Sequence, residues 1–308
     1  MIYRRLGKTG LKVSVVGAGT WQFGGEWGRP FAQPEADAIL HRAEALGINL
    51  VDTAECYGDG TSERLVGAAL AGRREKWVIA TKFGHHYNSL FERSNHWTPA
   101  EVLGQLETSL KNLRTDRIDL YQFHSGGDDV FDNDALWTAL GKAVRDGKIR
   151  HLGVSIGSND NLHQTEAATK VGAAAIQVVY NRLDRKPEGR VFPACLTQDL
   201  GVLARVPLAS GFLAGKYTAA DAGSFPADDV RGKWWKKEDI VAAIAQVEEI
   251  RKSEVPAGVE MAGWALAWCL RHPAVTCVIP GLKSPAQAES NAAAGALAPQ
   301  DHPQALPA

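Results

Sequence analysis

Asn49-Leu-Val-Asp52, which runs on through Thr53-Ala-Glu-Cys to Tyr57, is one of three short apolar runs that each end in a different ionisable side chain. The others are Trp77-Val-Ile-Ala-Thr-Lys82 and Ile118-Asp-Leu-Tyr-Gln-Phe-His124. Charge is costly inside a buried strand, but the C-terminal end of such a strand can open onto a cleft. Three consecutive strands that release an acid with a phenol, an ammonium and an imidazole point to one shared proton-transfer site.

Working outward, strand and helix signals alternate along the chain. Residues 3–15 read as a small hairpin, with Gly7 and Thr9-Gly10 between Tyr3–Leu6 and Leu11–Val15. The strand expectations are Val15–Gly19, Leu50–Thr53, Trp77–Lys82, Ile118–His124, Arg150–Ser155, Ala174–Asn181, Val202–Ala209 and Val275–Pro280. Between them, Ala36, Ile39, Leu40, Ala43 and Leu46 recur at helical spacing, and Thr98-Pro-Ala-Glu101 is a capping box with proline at the first helical position. Further helices read near Glu63–Leu70, Asp134–Arg145, Asn161–Val171, Gly189–Gln198, Asp239–Lys252 and Val259–Leu270. A last one starts at Ser284-Pro-Ala-Gln287. Eight strand–helix units fit one closed (β/α)8 TIM barrel of the α/β class with an N-terminal β-hairpin, a doubly wound sheet being the other arrangement weighed. The expectation is a single domain over 1–308, the hairpin occupying 1–15 and a loose C-terminal tail 296–308.

The 308 residues are 45% apolar and 22% charged, with a net charge of −1. Bulk charge favours neither a nucleic-acid nor an anionic-membrane partner. No apolar run reaches the roughly 18–20 residues of a spanning helix, and the N-terminus has no apolar signal core, so the expected location is cytoplasmic. Cys56, Cys195, Cys269 and Cys277 lack metal-type spacing and read as reduced thiols. His85-His86 are adjacent, so on a strand they point oppositely, and no metal site is expected.

In a barrel, catalytic side chains sit at the C-terminal strand ends. A free tyrosine titrates near pH 10, too high for an efficient donor at neutral pH, and a nearby ammonium lowers that value. Lys82 can supply the ammonium, Asp52 can hold it protonated, and His124 can orient a carbonyl oxygen. The set suits protonation of an oxygen while another group attacks the carbon. Taken singly, each residue reads as a salt bridge or a packed side chain. Their joint placement at successive strand ends carries the reading.

Several stretches bear a resemblance to a known family. Tyr3-Arg-Arg-Leu-Gly-Lys-Thr-Gly-Leu-Lys-Val-Ser, Val51-Asp-Thr-Ala-Glu-Cys-Tyr-Gly, Ala80-Thr-Lys-Phe-Gly, Leu120-Tyr-Gln-Phe-His, Gly153-Val-Ser, Pro207-Leu-Ala-Ser-Gly-Phe-Leu-Ala-Gly-Lys-Tyr and Val278-Ile-Pro-Gly-Leu-Lys-Ser-Pro make residues 1–295 resemble an aldo-keto reductase. The resemblance implies hydride transfer between a nicotinamide and a carbonyl, with Asp52, Tyr57, Lys82 and His124 as catalytic tetrad and Tyr57 as general acid. It implies NADP(H) more readily than NAD(H). It also leaves a second possibility, a catalytically slow cofactor-sensing regulatory subunit like the members that attach to potassium channels.

No Gly-x-Gly-x-x-Gly follows a strand, which argues against a Rossmann cofactor site. A barrel's own phosphate site lies in the loops after strands seven and eight, beside a helix N-terminus. There Ser210-Gly-Phe-Leu-Ala-Gly-Lys216 can wrap a pyrophosphate, and Lys283 and Ser284 precede the last helix. By resemblance the cofactor-binding set is Trp21, Ser155, Gln177, Arg205, Pro207, Leu208, Ser210, Gly211, Lys216, Gly281, Lys283, Ser284, Gln287 and Asn291. Two departures stand out. Ile156 replaces a usual Asn, and Arg205 replaces an aromatic residue, so that its charge disfavours an oxidised nicotinamide unless an acidic loop residue bridges it. The aromatic residues Trp21, Phe23, Trp27, Phe83, Tyr87 and Trp234-Trp235 suit a small carbonyl or sugar substrate. The oligomeric state is not legible.

Overall fold

The computed structural model describes residues 1–306. Apolar runs bounded by turns become parallel strands because both of their faces are covered, by helices outside and side chains inside. The strands are β1 (Tyr3–Arg5), β2 (Lys12–Ser14), β3 (Ala18–Gly19), β4 (Leu50–Asp52), β5 (Val78–Phe83), β6 (His85–Ser89), β7 (Glu92–Asn95), β8 (Ile118–His124), β9 (Ile149–Ser155), β10 (Ala173–Val179), β11 (Gly201–Arg205) and β12 (Cys277–Ile279). The helices are α1 (Gln33–Ala45), α2 (Thr61–Ala69), α3 (Pro99–Asn112), α4 (Asp128–Phe131), α5 (Asp134–Arg145), α6 (Leu162–Ala167), α7 (Val191–Thr197), α8 (Val230–Trp234), α9 (Lys237–Ser253), α10 (Met261–Leu270) and α11 (Pro285–Ala293).

Eight strands pair in parallel in the order β12-β11-β10-β9-β8-β5-β4-β3. Bridges Val16↔Val278 and Gly19↔Gly281 bring the first strand back to the last and close the (β/α)8 barrel. The antiparallel hairpin β1–β2 plugs its N-terminal mouth. Leu6, Leu11 and Val13 from that hairpin pack on Leu50, Val78, Leu120 and Leu203 from the strands. A larger apolar layer lies between strands and helices, where Ile39, Leu40, Leu106, Leu110, Leu136 and Leu140 present the helical stripes. Thr98 caps α3 as expected, its hydroxyl accepting from the Glu101 N–H while the Glu101 carboxylate accepts from the Thr98 N–H.

The structure departs from the sequence expectations in three places. The run expected as strand through Ala209 ends at Arg205 and turns into a 3-10 segment. Val206, Ala209, Ser210 and Gly211 there take positive φ, which no strand tolerates. The polar segment after β5 forms the antiparallel arm β6–β7, which has no apolar alternation to announce it. The tail expected to be loose is held down as far as it is described, to residue 306: the Arg5 N–H donates to the Gln304 carbonyl at 2.8 Å, Ala305 bridges Arg4, and His302 and Gln304 are buried. Tertiary partners supply the order that an Ala/Pro/Gln-rich composition does not show.

Candidate functional site

At the C-terminal mouth of the barrel lies a cavity of about 650 Å³. Asp52, Tyr57 and His124 line it. Lys82 stands just behind, fully enclosed in β5. Asp52 pairs with Ala80 and Lys82 with Gln122, so Lys82 and His124 each stand two residues beyond the partner of the preceding side chain, a stagger that keeps all three on the same face of the sheet. The Lys82 ammonium donates to Asp52 Oδ2 and to the Thr53 carbonyl, each at 2.7 Å, and to the Tyr57 hydroxyl at 3.3 Å. Asp52 Oδ1 accepts from the amides of Gln177 at 2.8 Å and Gln122 at 3.1 Å. This carboxylate is therefore fully satisfied, as a charge shut away from water must be.

Burial pulls the Lys82 ammonium down, but Asp52 and Tyr57 outweigh it and leave its pKa raised. Removal from water pushes the His124 imidazole well below its usual value, and the cations Lys82 and Arg205 add to this, so the ring is neutral. The Cys56 thiol lies 3.7 Å from His124 Nδ1. Either atom can be the donor there, and donation from sulfur is the arrangement that would leave the proton on Nε2. For Tyr57 the sequence expectation needs correcting. Lys82 does pull the phenol down, but desolvation is larger and the pKa is raised overall. Tyr57 is thus protonated at neutral pH, and Lys82 limits a shift it does not reverse.

The residues assigned to cofactor binding divide into two groups. Trp21, Gln177, Arg205, Pro207, Leu208, Ser210, Gly211, Lys216, Gly281, Lys283, Gln287 and Asn291 all line the cavity. Ser155 and Ser284 do not. Ser155 donates to Gln177 Oε1 at 3.4 Å, and Ser284 caps α11 by accepting from the Gln287 N–H at 3.2 Å. Gln287 does not return the bond to Ser284 as a capping box requires; its side chain accepts from the Lys283 N–H at 2.8 Å. The alternative for Arg205, a bridge to an acidic loop residue, is not what is found: its Nη2 donates to the Ile156 carbonyl at 3.2 Å.

The cavity suits an elongated anionic ligand. The positive-φ turn Ala209–Gly211 offers few free donors, because the Ala209 and Gly211 N–H groups already donate to the Val206 and Leu208 carbonyls at 2.9 Å each, so cationic side chains supply the attraction for an anion in the cavity. Lys283 and Lys216 line it, with the N-terminus of α11 adjacent. Burial and the cations Arg231 and Lys216 bring the Lys283 pKa to about 8, with Asp229 opposing, so an arriving anion would relieve repulsion there. Asn291 Nδ2, Gln22 Oε1 and Arg205 Nε are buried without a partner. Gly281 touches the Gln22 side chain so closely that a Cβ would come within 2.0 Å of it.

The sequence reading missed several lining residues. Arg93, on the arm β6–β7, reaches the cavity and pairs with Glu26 at 2.6 Å, and Glu26 also accepts from the Trp21 indole. Tyr217 from the segment after β11 and Arg231 on α8 also line it, with Arg231 paired to Asp229 at 2.6 Å. That segment is strapped across the first loop by the bridge Trp27↔Asp229. The clue available was charge in otherwise aromatic loops, which spacing alone does not assign. Among the described residues no three His, Cys, Asp or Glu side chains are placed to share a metal.

A model of the aldo/keto reductase family matches residues 15–304. Aldo-keto reductase YhdN of Bacillus subtilis is 32% identical over 94% of this chain and 87% of its own. Aldo-keto reductase yakc [NADP(+)] of Schizosaccharomyces pombe is 32% identical over 85% of this chain and 78% of its own. Among solved structures, the holo form of aldo-keto reductase AKR11C1 from Bacillus halodurans superposes with a TM-score of 0.79 at 30% identity, covering 96% of this chain and 90% of that one. The glycerol dehydrogenase AKR11B4 from Gluconobacter oxydans gives 0.78 at 31% identity, covering 95% and 89%.

Proposed function

We propose that this chain, which belongs to the aldo/keto reductase family, is an NADP(H)-dependent oxidoreductase that reduces the carbonyl of a small aldehyde, ketone or sugar, with Tyr57 as general acid. The observation that carries the proposal is the 3.3 Å contact between the Lys82 ammonium and the Tyr57 hydroxyl at the base of a cavity lined by Lys216 and Lys283. A reduced nicotinamide, when bound, supplies the hydride. The protein's part is to place and protonate the oxygen.

The neutral His124 offers Nε2–H to the substrate oxygen and orients the carbonyl. Tyr57 then gives its proton to that oxygen as negative charge builds on it. The phenolate left behind faces Lys82, whose charge Asp52, Gln122 and Gln177 hold in place. Carbonyl, hydride and phenolic proton balance to an alcohol and a phenolate, which bulk water reprotonates. Ser210, Lys216 and Lys283 would hold the pyrophosphate and a 2′-phosphate, Asn291 the adenine, and Gln177, steadied by Ser155 behind it, the carboxamide. Preference for NADP(H) draws support from Lys283 and from the bracketed cofactor in the name of the fission-yeast relative. A small polyol or its carbonyl fits the aromatic walls and agrees with the name of the Gluconobacter neighbour.

The test is NADPH consumption over a panel of aldehydes, ketones and sugars, with Tyr57→Phe as control. Turnover by the wild type, loss of at least about a hundredfold in kcat in the variant, and unchanged cofactor affinity are expected. Loss of cofactor binding together with activity would give the phenol a structural role and overturn the assignment.

A further inference from the structure

We propose that Arg205 makes this site discriminate between the two oxidation states of its cofactor, holding the neutral reduced nicotinamide in preference to the cationic oxidised one. The inference rests on reading the cavity as a nicotinamide site.

Arg205 ends β11 in register with Val179 of β10 and Ile279 of β12, which places it on the same barrel mouth as the tetrad. Three arginines line the cavity. Arg93 is neutralised by Glu26 and Arg231 by Asp229. Arg205 differs. Its Nη2 meets only a neutral carbonyl, its Nε is buried and unpartnered, and among the described residues no carboxylate forms an ion pair with it. Its field nevertheless reaches Tyr57, Asp52 and His124. Asp52 cannot serve as its counter-charge, because Lys82 already sits 2.7 Å from that carboxylate.

A charge count at the reacting end follows. Lys82 and Arg205 each carry +1, Asp52 carries −1, and His124 and Tyr57 are neutral, so the sum is +1. A reduced, neutral ring leaves it at +1, and an oxidised ring raises it to +2 in a place with little water to screen it. The guanidinium is planar and weakly hydrated, so it suits a position against a ring better than an ammonium does. The device loads the enzyme with reduced cofactor and speeds release of the oxidised form. It leaves the overall reaction equilibrium unchanged. Each tenfold preference raises the potential of the bound couple by about 30 mV, which makes bound reductant milder. After proton transfer the same uncompensated charge helps Lys82 stabilise the Tyr57 phenolate.

The experiment measures dissociation constants of NADP+ and NADPH by quenching of the protein's tryptophan fluorescence, without substrate or turnover, for wild type, Arg205→Met, Arg205→Gln and Arg205→Lys. The expected ratio of oxidised to reduced constants exceeds ten in the wild type. It falls about tenfold in the two neutral variants and stays within threefold of wild type in the lysine variant. A ratio unmoved by removing the charge overturns the proposal. So does a lysine variant that falls as far as methionine, because charge is then not the cause. Should methionine or glutamine fail to fold by circular dichroism, the lysine variant and the wild-type ratio still decide: a wild-type ratio near one refutes the idea outright. Failure of the underlying function looks different, since the wild type would then bind neither NADP+ nor NADPH.

Discussion

Exchanging Lys82 for methionine removes the one cation in direct contact with both Asp52 and Tyr57. Unit charges 3.3 Å apart at an effective dielectric of about 20 interact by about 5 kcal/mol, equivalent to roughly three to four pH units of phenol acidity. That figure is a ceiling, because the ammonium is shared with Asp52 and the Thr53 carbonyl. A proton half transferred in the transition state senses part of it, so kcat should fall by about 10²–10⁴. Stability should fall too. The pair is enclosed, with side-chain exposures of 0% and 6%. Breaking such a pair from one side costs about 3–5 kcal/mol, because the surviving charge keeps its burial and loses its partner. The Gln122 and Gln177 amides still reach Asp52 and should hold the loss toward the lower end. Asp52→Asn alone strands the ammonium in the same way. The double variant Asp52→Asn/Lys82→Met leaves no charge behind, so it should be more stable than the sum of the singles by about 1–3 kcal/mol. Urea denaturation followed by circular dichroism and by tryptophan fluorescence gives the cycle, with steady-state kinetics on the same four proteins. Additivity within about 0.5 kcal/mol, or a kcat for Lys82→Met within threefold of wild type, would refute the coupled-charge account.

The other predictions concern different parts of the site. Tyr57→Phe should abolish turnover and spare cofactor affinity, measured by NADPH oxidation and by fluorescence titration. Arg205→Met should lower the ratio of NADP+ to NADPH dissociation constants about tenfold, measured by quenching. Burial, then Glu63 and Asp59, push the Glu55 carboxyl up to about 7 from its ordinary 4.5. Between those values the unfolded chain has already released the proton that the folded one keeps, so wild-type stability falls as pH rises from about 4.5 to about 7. Glu55→Gln cannot ionise, and its advantage should grow across that window to about 3 kcal/mol, read as urea midpoints at several pH values. A constant difference from pH 4.5 to 7.5 would contradict this. Trp234, 55% exposed, sits 5.7 Å from Trp21 and 6.1 Å from Phe91 by ring centroids, at the mouth of the cavity. Trp234→Ala should raise KM for aromatic aldehydes several-fold with a stability change under about 0.5 kcal/mol. An unchanged KM across the panel would remove it from the substrate path.

What could be read from sequence had local causes. Apolar runs ending in Asp52, Lys82 and His124 signal strands whose tips meet a polar space, since burial on both faces forces a continuous apolar stretch. Capping chemistry at Thr98-Pro-Ala-Glu101 fixes a helix start by bonds within four residues. The ring of eight strands follows from their alternation with helices, because parallel neighbours need a crossover. What only the tertiary structure decided involves partners far apart in the chain. Arg93 and Glu26 stand 67 residues apart, and no spacing rule pairs them. The arm β6–β7 gains its order from its own pairing and from Gln105, whose amide donates to the His85 carbonyl at 2.9 Å. Residues 298–306 are held by β1 and by Thr276, contacts invisible in an Ala- and Pro-rich tail. The net acidity of Tyr57 also belonged to the fold. Sequence names the ammonium that lowers it, whereas the desolvation that wins depends on how completely the surrounding loops exclude water.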